Sequence, residues 1–243
     1  MEINKIYNAD CIEFMKVMGD KLVNLTLTDI PYDVVNRSDE GLRKLDKSLA
    51  DVMQFDLDTF LKEVYRITSG TIIIFCGREQ FSTIYKFYAD KQAKHLGTVR
   101  TLIWEKTNPS PMNGQYIYLS GIEIAVWFKK KGGTFNANCK NTVFKYPSGS
   151  SKLHPTEKNH YLLKELILDN SNENDLIFDP CCGSGAHCFV AKATNRNYIG
   201  CELNTEYYNK AVKRLKYGFS GNYDFSDKSD KDIESDNKSK KLF

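Results

Sequence analysis

Residues 175–204 read "DLIFDPCCGSGAHCFVAKATNRNYIGCELN": an apolar run, an aspartate, a glycine-containing turn, a helical segment and a second apolar run. Gly183 and Gly185 allow the chain to turn sharply after Asp179, and a helix is expected to begin near Ala186. In α/β proteins such a turn presents backbone N–H groups and a helix N-terminus at the carboxyl edge of a sheet. This order of elements predicts an α/β fold with a ligand site at that edge.

Runs of strand character alternate with segments of helical spacing along most of the chain. The predicted strands are residues 3–7, 23–28, 71–76, 101–106, 122–128, 175–178 and 197–202. The predicted helices are residues 10–18, 57–68, 78–92, 156–169, 185–194 and 204–216. This alternation predicts one α/β domain over residues 1–218, with a seven-stranded, mostly parallel sheet flanked by helices.

The composition is that of a soluble globular protein, with 243 residues, 41% hydrophobic, 27% charged and a formal net charge of +3. The sequence has no apolar run near the roughly 18 residues that a membrane span needs, and its N-terminus does not resemble a signal peptide. The seven cysteines are odd in number and form no C-x-x-C pair, which disfavours a disulfide framework or a zinc ribbon. We expect a cytoplasmic protein without a metal site.

Three segments depart from the alternating pattern. Residues 33–56 form a long polar connection, and we expect a mobile loop there because loops of this length are usually functional or disordered. Residues 129–152 are rich in Gly, Ser, Asn and Lys, with interleaved aromatic residues. Residues 219–243 are polar and of low complexity, and they are predicted to be a disordered tail.

An acidic residue follows the glycine turn at a distance typical of nucleotide sites. Glu202 lies 19 residues after Gly183, at the end of the next predicted strand. A carboxylate about 20 residues beyond such a turn can accept hydrogen bonds from both hydroxyls of a ribose. Cys188 stands where the dinucleotide fingerprint needs a third glycine, which disfavours NAD. A cofactor with adenosine but no pyrophosphate stays open, and S-adenosylmethionine is of that kind.

Four separated motifs together resemble the amino-methylating DNA methyltransferases, which use S-adenosylmethionine to methylate the exocyclic nitrogen of adenine or cytosine. The motifs are "NADCIEFM" at 8–15, "TDIPY" at 28–32, "LHPTEKN" at 153–159, and "FDPCCGSG" at 178–185 with "IGCELN" at 199–204. "TDIPY" is similar to the catalytic D-P-P-Y motif. Because it precedes the glycine loop, the order resembles that of the family's beta class.

The resemblance implies a set of cofactor-binding residues. Asp10 would accept a hydrogen bond from the amino group of the cofactor's adenine, and Cys11 would offer backbone contacts. Thr156 and Lys158 would help to hold the methionine part, and Glu202 would bind the ribose. The remaining residues implied at the cofactor site are Asp179, Pro180, Cys181, Gly183, Gly185 and Leu203.

The resemblance also implies that Asp29, Ile30, Pro31 and Tyr32 form the catalytic motif, with the flipped target base stacked on Tyr32. Ile30 replaces the first proline of D-P-P-Y, but the family uses the backbone carbonyl at this position, which any residue has. Cys181 replaces the usual aromatic residue of the cofactor loop. This change removes packing surface, and a weaker affinity for the cofactor is expected.

In the beta-class order, target recognition falls to residues 129–152. Lysines in and near this segment, together with basic residues of 33–56, are candidate phosphate contacts: Arg43, Lys44, Lys47, Lys129, Lys130, Lys131, Lys140 and Lys145. A solvated run of charge explains each of them about equally well. Because the segment is short for reading several base pairs, we expect a short recognition site, or a homodimer or partner protein that assists.

The sequence predicts a DNA adenine N6-methyltransferase, since Asp is the commonest first residue of the motif in adenine enzymes. Cytosine N4 methylation is the first alternative. A cofactor-binding, DNA-associated subunit weakened in catalysis by Ile30 and Cys181 is the second. Enzymes of the wider family that methylate RNA bases or a protein glutamine typically begin the motif with Asn, and Asp29 counts against both.

Overall fold

A central β-sheet of eight strands carries the fold of the computed structural model, which describes residues 1–32, 55–111, 114–148 and 157–218. The strands are β1 (Lys5–Asn8), β2 (Val23–Asp29), β3 (Thr68–Cys76), β4 (Gly97–Lys106), β5 (Ile122–Lys130), β6 (Val143–Tyr146), β7 (Leu176–Asp179) and β8 (Asn197–Glu202). Their order across the sheet is β1-β8-β7-β2-β3-β5-β4-β6.

Six helices connect and cover the strands. They are α1 (Cys11–Lys16), α2 (Leu57–Ile67), α3 (Arg78–Ala93), α4 (His160–Asn170), α5 (Ala186–Ala193) and α6 (Thr205–Tyr217). Asparagine or aspartate side chains cap four of them at the N-terminus, at Asp10, Asp56, Asn159 and Asn204. Each helix begins where the sequence places a capping residue or a glycine directly after a strand or loop.

The directions of the strands determine where a site can form. All described strands except β5 run the same way, since β5 is antiparallel to both of its neighbours, β3 and β4. The prediction of an α/β fold with a mostly parallel sheet is confirmed. The carboxyl ends of seven strands therefore meet at one edge, which is where α/β proteins bind their ligands.

The predicted strand count was wrong by one. The additional strand, β6, lies inside the segment 129–152 and pairs in parallel with β4 at the end of the sheet. Its four residues lie in a mostly polar segment, and only Phe144 among them is buried. Pairing with β4, which sequence periodicity does not show, supplies its backbone hydrogen bonds. Part of the predicted recognition segment is therefore a structural strand.

Apolar residues fill both faces of the sheet. On one face, Leu25 and Leu27 of β2 share a buried cluster with residues of α4, α5 and α6. On the other face, Ile72 and Ile74 of β3 pack in a cluster with residues of α1, α2 and α3. Thr26 of β2 is fully buried as well, and its hydroxyl pairs with that of Thr68 at 2.6 Å. Both faces of the central strands are thus closed to solvent, as a doubly covered sheet requires.

Some predictions lie outside the described residues. These are residues 33–54 of the predicted loop, 149–152 of the predicted recognition segment, Thr156, and the predicted tail at 219–243. Within the described ranges, none of the helices is long and apolar enough to cross a membrane.

Candidate active site

The motif Asp29–Tyr32 continues directly from β2 at the carboxyl edge. The backbone N–H of Ile30 donates to the carbonyl of Phe75 at 3.2 Å, which extends the pairing of β2 with β3 beyond the strand. The Ile30 side chain is only 1% exposed and packs into the core face covered by α1, α2 and α3. Ile30, which departs from the family motif, is therefore an apolar anchor for the loop that follows Asp29.

Gln80, in the first turn of α3, holds the other end of the motif. Its side-chain Nε2 donates to the carbonyl of Pro31 at 2.8 Å, and its Oε1 accepts from the N–H of Gly77 at 2.9 Å. The side chain is buried. Sequence reasoning missed Gln80, because a glutamine in a first helical turn is ordinary and its partner lies 49 positions earlier in the chain.

Both carboxylate oxygens of Asp29 accept hydrogen bonds in the structure. The Tyr32 hydroxyl donates to Oδ1 at 2.9 Å. The ammonium group of Lys158 forms an ion pair with Oδ2 and also lies 3.3 Å from the Tyr32 hydroxyl. Lys158 is buried, and its ammonium also lies 5.5 Å from the centre of the Tyr32 ring. The predicted catalytic residues and one predicted cofactor residue thus form a single cluster.

Charge and burial set the ionisation of this cluster. Burial raises the pKa of the Asp29 carboxyl, although the Lys158 charge opposes this. Burial and the neighbouring Asp29 carboxylate raise the pKa of the Tyr32 hydroxyl well above its usual value, so Tyr32 remains a hydrogen-bond donor. Burial disfavours the charged form of Lys158, but the Asp29 and Glu123 carboxylates and the hydrogen bond to Asp29 together outweigh it, and the pKa of Lys158 is raised well above its usual value.

The glycine loop between β7 and α5 has the predicted turn. Gly183 and Gly185 have φ values of 51° and 78°, in the left-handed region that favours glycine. A Cβ atom at Gly185 would lie 2.9 Å from the Cβ of Ala211 in α6, so close packing of the loop against α6 also excludes a side chain. The two glycines therefore bring the backbone of the loop to the edge of the sheet where β7 and β8 end.

Glu202, at the end of β8, faces this loop. One of its oxygens accepts the N–H of Gly183 at 2.8 Å, and the other accepts the N–H of Asn204 at 2.7 Å. Burial raises the pKa of the Glu202 carboxyl, against the effect of these two hydrogen bonds. Each carboxylate oxygen can accept more than one hydrogen bond, so the pair that fixes Glu202 leaves capacity for the hydroxyls of a ribose.

The Asp179 carboxylate makes its contacts with the glycine loop and with α5. Its Oδ1 accepts the N–H of Cys181 at 3.1 Å, and its Oδ2 lies 2.5 Å from Nδ1 of His187 in α5. Asp179 is 1% exposed and His187 is also buried. His187 thus orients the aspartate of the predicted cofactor loop.

The predicted adenine-binding residues lie beside Glu202. Asp10 caps α1 through Oδ1, which accepts the N–H of Glu13 at 3.0 Å, and the N–H of Ala9 donates to the carbonyl of Glu202 at 3.1 Å. Cys11 is buried in the same cluster that Cys181 packs against. A hydrogen bond with the Cys11 thiol, together with burial, raises the pKa of the Cys181 thiol well above its usual value.

The remaining predicted cofactor residues differ in exposure and contacts. Leu203 follows β8 and is 51% exposed, and Pro180 is buried at the start of the loop. Lys158 contacts Asp29 and Glu123. The predicted roles of these residues toward a bound cofactor remain predictions.

A buried ionic network fixes the segment that carries Lys158. Glu157 accepts hydrogen bonds from Arg214 of α6 at 2.6 Å and from the Ser184 hydroxyl of the glycine loop at 3.0 Å, and it lies 2.8 Å from Nε2 of His160. Burial opposes ionisation, but the hydrogen bond from His160 and the charge of Arg214 lower the pKa of Glu157 to about 2. Sequence reasoning missed Glu157 and Arg214, since no local pattern links them.

The predicted phosphate contacts are divided between the two edges of the sheet. Because β5 is antiparallel, Lys129 and Lys130 lie at the edge opposite Asp29, and both donate to backbone carbonyls there. Lys140 is paired with Glu165 and Asp169. Lys145 lies at the carboxyl edge, on β6, and its side chain is 65% exposed. The assignment of these lysines as phosphate contacts remains a prediction, and Lys129 and Lys130 lie at the edge away from the catalytic motif.

The geometry combines a partly exposed acceptor carboxylate, Asp29, with a loop that suits an adenosine-containing ligand. A family model described as DNA methylase, of the N6/N4 type, matches residues 23–213. The chain is 29% identical to the type II methyltransferase M.HinfI of Haemophilus influenzae, over 88% of this chain and 68% of that protein. It is 28% identical to the type II methyltransferase M.HpaI of Haemophilus parainfluenzae, over 88% and 74%.

Solved structures show the same fold. A complex of M1.HpyAVI with SAM has a TM-score of 0.65 at 27% identity, covering 86% of this chain and 98% of that one. The cytosine-N4-specific PvuII DNA methyltransferase has a TM-score of 0.70 at 15% identity, covering 96% and 91%. The likeness to the PvuII enzyme concerns the fold alone.

Proposed function

The chain belongs to the N6/N4 DNA methylase family, and on that basis we propose that it methylates the exocyclic N6 of adenine in DNA. It is an S-adenosylmethionine-dependent DNA methyltransferase. The observation that carries the adenine assignment is the acidic residue Asp29 at the head of the motif, placed at the carboxyl end of β2. Cytosine N4 is the alternative, because the fold is shared with an N4-specific enzyme.

The residues of the glycine loop and its neighbours suit S-adenosylmethionine. Glu202 would accept the ribose hydroxyls, Asp10 would accept the adenine amino group, and the turn at Gly183 and Gly185 leaves the backbone open to a ligand. When bound, the cofactor supplies a methyl group attached to a positively charged sulfur. The adjacency of β7 and β2 in the sheet supports a position for the cofactor at the carboxyl edge, beside Asp29.

Asp29 and Ile30 act on the target amino group. An exocyclic amino nitrogen is a poor nucleophile because its lone pair is delocalised into the ring. The Asp29 carboxylate and the Ile30 carbonyl oxygen accept its two hydrogens, which favours tetrahedral geometry and stabilises the positive charge that develops during attack. The nitrogen then forms a bond to the methyl carbon as the carbon–sulfur bond breaks, and the surplus proton passes to the Asp29 carboxylate.

Tyr32 has a second task in addition to base stacking. A target base must leave the duplex to reach Asp29, and stacking on an aromatic ring helps to offset the cost of a few kcal/mol. The Tyr32 hydroxyl is bonded to Asp29 at 2.9 Å, and this bond limits the orientations that the ring and the carboxylate can adopt. We expect Tyr32→Phe to retain stacking and lose this restraint.

Identification of the labelled base tests the proposed function. The full chain is incubated with methyl-labelled S-adenosylmethionine and unmethylated duplex DNA, and the DNA is digested to nucleosides. We expect the label in N6-methyl-2′-deoxyadenosine. Label in N4-methylcytosine would overturn the adenine assignment, and cofactor binding without label in DNA would favour a catalytically weakened subunit.

The β4–β5 connection is expected to face DNA. It joins the carboxyl end of β4 to β5, at the edge that holds Asp29, and its base is tied to the site by the Lys106–Glu123 ion pair. Tyr116 is 80% exposed and Tyr118 is fully exposed. Aromatic side chains at such an edge can stack on unpaired bases or enter a base step.

We expect Tyr116→Ala and Tyr118→Ala, combined, to weaken the binding of unmethylated duplex DNA about tenfold or more, because each stacked base contributes about 1–3 kcal/mol. Fluorescence anisotropy at fixed salt measures the change. Leu96→Ala is the control, since Leu96 is a 43% exposed apolar residue that directly precedes β4, at the edge of the sheet opposite Asp29. If the double variant binds DNA as tightly as the wild type does, the β4–β5 connection is not part of the DNA interface.

A further inference from the structure

Four charged side chains of alternating sign meet at the carboxyl edge. Lys158 lies between the carboxylates of Asp29 and Glu123, with its Nζ 2.8 Å from Oε2 of Glu123. Lys106 is paired with the other oxygen of Glu123, at 2.6 Å. Two negative and two positive charges balance, and the buried Lys158 is shared by acids from two different strands.

Lys158 is shared unequally. Its ammonium group donates a hydrogen bond to Oδ2 of Asp29. Its Nζ also lies 2.8 Å from Oε2 of Glu123, at ion-pair distance, and within residues 1–32, 55–111, 114–148 and 157–218 no better-aligned donor reaches this buried oxygen. Glu123 therefore offers Lys158 a second carboxylate acceptor close to the one that it uses.

Binding of an amino group at Asp29 creates a need for that acceptor. Tyr32 and Lys158 each donate to one oxygen of Asp29, so an incoming amino group competes with the Lys158 ammonium for Oδ2. Lys158 is buried, and a buried cation without a partner is strongly destabilising. Departure of Lys158 from Asp29 thus requires another carboxylate within reach, and Glu123 is already at ion-pair distance.

We propose that Glu123 is a positioning residue that takes over the Lys158 ammonium when the target amino group binds to Asp29. This rests on the proposed function, since it requires an amino group at Asp29. Lys158 keeps its proton throughout, and the ion pair with Lys106 keeps Glu123 oriented. Glu123 acts through Lys158 and does not contact the target base.

The groups that face Asp29 make this role measurable in a pH profile. Burial raises the pKa of the Asp29 carboxyl, the Lys158 charge opposes this, and the Glu123 charge adds to it. Tyr32 and Cys76 also face Asp29, but burial raises the pKa of both, and they stay neutral. Loss of the Glu123 charge therefore lowers the pKa of Asp29, so that Asp29 stays ionised to lower pH.

The test is Glu123→Gln in the full chain, assayed for methyl transfer to DNA in single turnover from acid to neutral pH. We expect the rate to fall about tenfold or more, the loss expected when a hydrogen bond to a charged group is removed. The acid limb of the profile should move to lower pH, and cofactor affinity should be retained. A purely structural role would lower the rate without moving the acid limb, and a moved acid limb with an unchanged rate at neutral pH would show that Glu123 acts only through its charge and would overturn the proposal.

Two further variants complete the test. Glu123→Asp keeps the charge, so its acid limb should match the wild type while the rate is lowered by the shorter side chain. Glu165→Gln is the control: it removes a comparable, partly buried acid that is paired with Lys140 outside the site. Neither the rate of methyl transfer nor the acid limb should change in this variant. An unchanged rate and acid limb in Glu123→Gln would overturn the proposal while leaving the proposed function intact. If Glu123→Gln does not fold, wild-type rates in Glu123→Asp would overturn it. Absence of label in DNA with the wild-type protein would contradict the proposed function instead.

Discussion

Replacement of Asp29 by Ala is expected to lower methyl transfer by about 10²–10³-fold or more, because the amino group loses the charged acceptor that stabilises its developing positive charge. Cofactor binding should persist, since the residues proposed to hold the ribose and adenine are Glu202 and Asp10. The variant should also fold, because Lys158 retains an ion pair with Glu123.

The rate of label transfer to DNA in single turnover, together with equilibrium binding of S-adenosylmethionine, measures this effect. Asp58→Asn is the control, because Asp58 is an exposed acid on α2 that is paired with Lys62. An Asp29→Ala enzyme that turns over near the wild-type rate would show that the acceptor role is wrong. Loss of cofactor binding in this variant would instead indicate a structural defect.

Replacement of Arg214 by Met is expected to lower the free energy of unfolding by about 3–5 kcal/mol, because it leaves the buried Glu157 carboxylate without its cationic partner. Arg214 is fully buried and its ion pair with Glu157 measures 2.6 Å. For a domain of this size the melting temperature should fall on the order of 10 °C. Activity should also decline, because Glu157 fixes the segment that carries Lys158.

Chemical denaturation at several pH values measures this stability. Lys210→Met on the same helix is the control: its partner Glu206 is 74% exposed, and removal should change stability by less than about 0.5 kcal/mol. The pKa of Glu157 is lowered from 4.5 to about 2, so its contribution is present above pH 4.5 and is lost as the pH falls toward 2. Glu157→Gln should remove this part of the acid dependence, and equal stability of Arg214→Met and Lys210→Met would contradict the network.

Local signals in the sequence were enough to predict most of the helices and strands and to find the motifs. Strand periodicity, capping residues and the two glycines with positive φ act over a few residues, which is why the α/β alternation and the glycine loop were predictable. The strand β6 was missed, because its four residues gain their stability from pairing with β4 and not from a pattern of their own. The position of Lys129 and Lys130 was not predictable for a related reason, since only the antiparallel direction of β5 sends them to the opposite edge.

Ile30 illustrates which properties of this protein are determined by the sequence pattern and which by three-dimensional packing. Its place in "TDIPY", and therefore the family and the chemistry, follows from residue type and order along the chain. Folding alone decides that the Ile30 side chain is an apolar anchor. It also brings Lys158 to Asp29 from 129 positions away, and Arg214 to Glu157 from 57 positions away. Local sequence encodes backbone preference, whereas the partners of a buried charge are set by the packing that brings distant segments together and excludes water from them.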